Sequence, residues 1–63
     1  MHGKSWYVLS PEGEEMWDRD RAYQRFRALR REGRAPLALV ERRHHRGELV
    51  SERTLLREKG GRE

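Results

Sequence analysis

A run of hydrophobic residues near the start of the chain has the composition of a β-strand. Residues 4–9 read KSWYVL, in which Trp6 and Val8 alternate with Tyr7 and Leu9, and aromatic and β-branched side chains favour a strand. In residues 10–13, Pro11 fixes its own φ angle and Gly13 tolerates a positive one, which is typical of a turn. The sequence therefore predicts a return strand over residues 14–17 and a first hairpin.

The next segment has the period of a helix. Apolar residues recur on one helical face at Ala22, Phe26 and Leu29. This spacing predicts an amphipathic helix over about residues 18–32. Asp18 or Asp20 can cap the start of the helix, and Gly33 is a natural residue to follow its last turn.

The second half of the chain allows two interpretations. In the favoured one, residues 37–43 and 48–55 form a second hairpin around residues 44–47, with Gly47 in the left-handed conformation. The chain then has an α+β fold of β-β-α-β-β order. Its four-stranded antiparallel sheet carries the single helix on one face.

The alternative interpretation is a small three-helix domain. Pro36 opens a helix that ends at Gly47, and Ser51 caps a third helix that ends at Gly60. In that case Val50-Ser51-Glu52-Arg53-Thr54-Leu55 resembles the turn and the start of the recognition helix in helix-turn-helix regulators. The resemblance implies a DNA-reading function for residues 50–55.

The chain is short for a stable core. Its 63 residues make one domain over 1–63, with a frayed tail at about 59–63. No cysteine is present to form a disulfide, and small domains without a disulfide or metal commonly gain stability by self-association. We therefore expect a homodimer, with Trp6 and Trp17 as interface anchors.

Positive charge is concentrated in the middle of the chain. The net charge of +4 divides into −2 for residues 1–17, +6 for residues 18–46 and zero for residues 47–63. The basic residues comprise 13 Arg but only 2 Lys. Because Arg binds phosphate through two parallel hydrogen bonds, this segment favours a polyanionic partner.

Two groups of arginines are candidates for contact with DNA or RNA phosphates. The first lies on the predicted helix and the second near the predicted hairpin loop. The candidate residues are Arg21, Arg27, Arg31, Arg42, Arg43 and Arg46. The competing interpretation is a solvated surface on which these guanidinium groups pair with nearby Asp and Glu side chains.

Other functional classes find little support in the sequence. Ser5, Ser10 and Ser51 lack the surroundings of a catalytic nucleophile. There is no phosphate-binding glycine loop and no metal-ligand spacing, so we expect no enzyme activity, cofactor, metal or small-molecule substrate. The sequence contains no apolar run long enough for a membrane span, and cytoplasmic localisation is the expectation. The absence of Asn and Cys, with a single Gln, raises the hypothesis of a heat-adapted source.

These observations predict a small, arginine-rich, non-catalytic binding module that contacts nucleic-acid backbone by electrostatic attraction. The alternative is a homo-oligomeric protein–protein interaction or adaptor domain.

Overall fold

The protein adopts the β-β-α-β-β order predicted from its sequence. The computed structural model describes residues 2–60. Its elements are β1 (His2–Ser10), β2 (Gly13–Trp17), α1 (Arg19–Arg31), β3 (Leu37–His45) and β4 (Glu48–Glu58). The α+β prediction is confirmed. The three-helix alternative is wrong, and so is the helix-turn-helix resemblance, because residues 50–55 belong to a strand. Within the predicted frayed tail, residues 61–63 lie outside the described residues.

The four strands form one antiparallel sheet in the order β2-β1-β3-β4. The first hairpin pairs Trp6 with Trp17. In the centre of the sheet, Val8 of β1 pairs with Leu39 of β3. The outer edge of β4 is free among the described residues.

The second hairpin closes through a two-residue turn. Arg46 and Gly47 have φ angles of 55° and 81°, as a type I′ turn requires, and the twist of this turn matches that of the flanking strands. The sequence predicted a four-residue loop, so β3 is two residues longer than expected and ends at His45. Register shifts leave Val50 and Leu55 between successive cross-strand pairs. These β-bulges accommodate two extra residues in β4.

Both ends of α1 carry the predicted signals. Asp18 precedes the helix, and its Oδ1 accepts a hydrogen bond from the Arg21 backbone N–H at 2.9 Å. At the other end, Gly33 has a φ angle of 74°. The backbone N–H groups of Gly33 and Arg34 donate to the carbonyls of Arg30 and Leu29, each at 3.0 Å. This Schellman arrangement satisfies carbonyls that the last turn would otherwise leave free.

The helix covers only part of one face of the sheet. Leu29 and Phe26 pack against Val8, Leu37 and Leu39 in the main core cluster. Beyond the helix, the β3–β4 hairpin and the start of β1 continue as an arm, and the molecule measures 43 × 21 × 18 Å. Among residues 2–60, no helix packs against the opposite face of the sheet.

Candidate nucleic-acid interface

The outer surface of α1 carries guanidinium groups that remain available to a ligand. Arg27 and Arg31 are exposed, one helical turn apart and directed away from the core. Neither has a carboxylate within 4.0 Å among residues 2–60, whereas the Arg21 Nε lies 3.9 Å from an Asp18 oxygen. Since the Arg21–Asp18 pair is exposed and long, it holds the Arg21 side chain only weakly.

Two other arginines of α1 form ion pairs with strands of the sheet. Arg25 donates from Nε to Glu15 at 2.8 Å and ties the helix to β2. Arg30 lies 3.3 Å from Glu58 of β4. These two ion pairs join the helix to opposite edges of the sheet, so both guanidinium groups already have a carboxylate partner.

The ion pair between Arg25 of the helix and Glu15 of the sheet shifts the pKa values of both groups. The hydrogen bond from Arg25 lowers the pKa of the Glu15 carboxyl, and a second hydrogen bond from Trp17 adds to the effect. The pKa of Arg25 is raised in turn, chiefly by the same bond. Both shifts favour the charged pair.

Arg42 lies on the other side of the molecule from α1. Its guanidinium sits 4.4 Å from the centre of the Tyr7 ring and lies 3.4 Å from Glu14 and 3.2 Å from Glu52. The hydrogen bond to Glu14 is the main cause of a raised pKa for Arg42. Only 20% of the Arg42 side chain is exposed, and the two carboxylates neutralise its charge. Because Arg42 also lies on the opposite face of the sheet, the structure separates it from the other candidate arginines.

The second group of available guanidinium groups lies on the arm. Arg43 is exposed on the same side of the sheet as α1, four residues after the core residue Leu39. Arg46 is exposed in the β3–β4 turn. Neither has an acidic partner within ion-pair distance in the described part of the chain. Nearby, the buried Glu41 carboxylate lies 3.5 Å from Arg53 and 3.9 Å from Lys4.

The two groups are separated along the molecule. Arg30, beside Arg31, contacts Glu58, which pairs with Leu37 at the start of β3. Arg46 follows His45 at the opposite end of that strand. Eight steps of about 3.3 Å place the ends of β3 about 26 Å apart. The helix group (Arg27 and Arg31) and the arm group (Arg43 and Arg46) therefore form two cationic surfaces.

Trp6 and Trp17 occupy neighbouring strands and face the helix. Both are half-buried and pack against the core cluster, and Trp17 donates from Nε1 to Glu15 at 3.0 Å. Trp6 Nε1 is buried without an acceptor among the described residues. Their role as dimer anchors stays a prediction, while their packing beneath α1 gives them a part in the core.

Two basic residues near the end of β4 were not singled out from the sequence. Arg57 and Lys59 border an open groove of about 460 Å³ whose floor includes Leu9, Pro36 and Ala38. Neither cation has an ion-pair partner between residues 2 and 60. No sequence signal marked them, because the groove forms where three segments distant in sequence meet.

No family model, curated protein or solved structure matches this chain. Within residues 2–60, no helix is long and apolar enough to cross a membrane. Over the same residues, no group of three His, Asp or Glu side chains is placed to hold a metal ion.

Proposed function

We propose that this protein is a non-catalytic module that binds the nucleic-acid backbone through Arg27 and Arg31 on α1 and Arg43 and Arg46 on the arm. The observation that carries the proposal is that these four guanidinium groups are exposed and have no carboxylate within ion-pair distance among residues 2–60, a property that Arg57 on the opposite face of the sheet shares. Arg25, Arg30 and Arg42 are held by carboxylates, whereas these four are exposed without one. The proposal places the protein in the cytoplasm, where DNA and RNA are accessible.

The mechanism is electrostatic and does not depend on base sequence. A planar guanidinium donates two parallel hydrogen bonds to phosphate oxygens. Such contacts position a protein on the backbone without reading the bases. Strand β3, whose two ends lie near the two groups, spans about 26 Å, which is shorter than the 34 Å turn of a DNA duplex. One duplex is therefore long enough to present phosphates to both groups.

The test compares binding to a labelled duplex and a labelled single strand over a range of salt concentrations. We expect binding at low salt that weakens steeply as salt rises, with similar affinities for unrelated sequences. Each phosphate contact contributes about 0.9 to the slope of log affinity against log salt for a duplex. The double variant R27Q/R31Q should lower that slope by about 1.8, and so should R43Q/R46Q.

The matched control removes the same charge from guanidinium groups that already have partners. Arg30 lies 3.3 Å from Glu58, and Arg34 lies 2.7 Å from Glu12. The R30Q/R34Q protein should therefore retain most of the slope. If it loses as much as the test variants, net charge alone governs binding and the assigned residues are wrong. Undetectable binding of both nucleic acids at low salt overturns the proposal.

A second candidate function is a homo-oligomeric protein–protein interaction domain. It is favoured by the sheet face opposite α1, which no described element covers and on which Met16 is 64% exposed. The two functions use different sides of the molecule and are compatible.

A further inference from the structure

The face of the sheet opposite α1 has a defined set of side chains, which we call the open face. Cross-strand pairing aligns Met16, Tyr7, Val40 and Thr54 in one row. Leu9 and Ala38 form the next row, beside the groove. Towards the arm, Leu49 pairs with His44 and is 53% exposed. The open face thus carries apolar side chains in these rows, with Glu14 and Arg57 at the ends of the Leu9–Ala38 row and Ser5, Arg42 and Glu52 in the row towards the arm.

We infer that the open face binds the open face of a second copy of this chain, giving a two-layered homodimer with the helices on its outer surfaces. Two sheets that pack face to face lie about 10 Å apart, and their side chains interdigitate to fill the space between them. The partner is identified by the charge of the surface, its area and the size of the core.

The charges on the open face are largely compensated within each copy. Arg42 is held by Glu14 and Glu52, so this network carries a net charge of −1, which Arg57 on the same face balances. Arg57, which has no ion pair among residues 2–60, lies on the edge strand β4, where an interface rim stays in contact with water. Two copies can approach without strong repulsion, whereas the guanidinium groups assigned to phosphate lie on α1, on the helix side of the sheet and in the β3–β4 turn.

The size of the molecule allows an interface of standard size on the open face. The two larger dimensions of the molecule, 43 and 21 Å, bound the footprint of this face at about 900 Å². A stable interface of standard size takes about 800 Å² from each partner. The groove beside Leu9 and Ala38 continues the open face and offers a recess for a side chain of the second copy.

The small core gives a physical reason for the second copy. The buried apolar residues are Val8, Ala22, Phe26, Leu29, Leu37, Leu39 and Val40. Of these, Val40 alone falls outside the cluster beneath the helix and belongs to the open face. Chains of this length usually need a further source of stability. A second sheet would add an apolar layer on the side of the sheet where the monomer buries the fewest apolar residues.

Pairing between edge strands is the other way in which two copies could join. The free edge of β4 is interrupted by bulges at Val50 and Leu55 and carries charged residues such as Arg53 and Glu52. Bulges and charges are features that protect edge strands against pairing. The open face is therefore favoured over pairing through the β4 edge.

Sedimentation equilibrium of the full chain from low micromolar to millimolar concentration tests the inference. We expect a reversible monomer–dimer equilibrium. Met16→Arg and Leu49→Arg each place a charge in the contact at an exposed position, so the fold should survive. Each variant should raise the dimer dissociation constant about tenfold or more. Gln24→Arg, on the outer surface of α1, adds the same charge and should leave the constant unchanged.

Hydrogen exchange of β4 amides distinguishes the two kinds of dimer. Edge pairing would increase protection at alternate β4 amides upon dimerisation, and face-to-face packing would not create those hydrogen bonds. The inference is overturned by a protein that stays monomeric at millimolar concentration, by a dimer unaffected by M16R and L49R, or by new protection along the β4 edge. None of these three results depends on nucleic-acid binding, so the dimer inference and the proposed function can fail separately.

Discussion

The Arg42 guanidinium lies 4.4 Å from the centre of the Tyr7 ring, on the sheet face that α1 leaves uncovered. The two residues are diagonal neighbours, because Tyr7 pairs with Val40, two residues before Arg42 in β3. Val40 is only 2% exposed although no helix covers it. A long arginine stem can shield such a residue while its charged end stays hydrogen-bonded at the surface.

Replacing Arg42 should therefore destabilise the fold. Arg42→Ala removes the stacking contact with Tyr7 and the bonds to Glu14 and Glu52, and we expect the free energy of unfolding to fall by about 1–2 kcal/mol. Arg42→Lys keeps the charge but not the planar group, so its free energy of unfolding should lie between those of the parent protein and R42A. Urea denaturation measures the difference.

Arg57→Ala is the matched control for this prediction. Arg57 also follows the open-face register, opposite Ala38, but it has no ion pair among the described residues. We expect its replacement to change the unfolding free energy by less than about 0.5 kcal/mol. Equal losses for R42A and R57A would show that the Arg42 network contributes nothing.

The two cross-strand tryptophans should respond differently to the loss of their indole N–H. Trp17→Phe breaks a 3.0 Å hydrogen bond to the Glu15 carboxylate, whereas Trp6→Phe removes a buried donor that has no acceptor among the described residues. Both variants lose similar apolar contact. We expect W17F to cost about 1 kcal/mol more than W6F in thermal or urea unfolding. The reverse order would mean that Trp6 Nε1 finds an acceptor in solution.

The fold was largely predictable because its signals are local. Three local signals each fix one element through short-range geometry. They are the strand-forming side chains of residues 4–9, the apolar helix face around Phe26 and the glycine of the second hairpin. The lengths of β3 and β4 were not predictable to the residue. The choice of a two-residue turn depends on Arg46 adopting a positive φ angle, which an arginine in sequence does not announce.

The candidate interface was predictable as a charge excess but not as a surface. Arg42 and Arg43 are adjacent in sequence and equally basic, yet strand geometry sends their side chains to opposite faces. Arg42 meets Glu14, which is 28 residues away in the chain, and Arg43 meets no carboxylate within ion-pair distance in residues 2–60. Ion pairing between distant segments is decided by topology, so counting charges overstates the number of available arginines.

The helix cap offers a third test. Asp18 Oδ1 accepts the Arg21 backbone N–H at the start of α1, and its charge also suits the positive end of the helix dipole. Asp18→Ala should lower the unfolding free energy by about 1 kcal/mol. Asp18→Asn keeps the accepting oxygen and should recover most of the loss. If D18N is as unstable as D18A, charge rather than the hydrogen bond makes the cap effective.

Acid stability should depend on the Glu15 carboxylate that joins β2 to α1. Its pKa is lowered in the folded protein by the hydrogen bonds from Arg25 and Trp17, relative to an ordinary value of 4.5. The unfolded chain therefore takes up a proton at a higher pH than the folded one. The stabilisation is present above pH 4.5 and is lost as the pH falls through the lower, folded pKa.

Glu15→Gln isolates this contribution. We expect E15Q to be less stable than the parent protein at neutral pH and to lose less stability on acidification. The unfolding free energies of the two proteins, plotted against pH, should therefore converge well below pH 4.5. Arg25→Gln should flatten the acid profile in the same way, because it removes the main cause of the shift. Glu48→Gln is the control, since Glu48 has no ion pair among the described residues. If E15Q and the parent protein lose stability in parallel across this range, the Glu15–Arg25 bond does not form in solution.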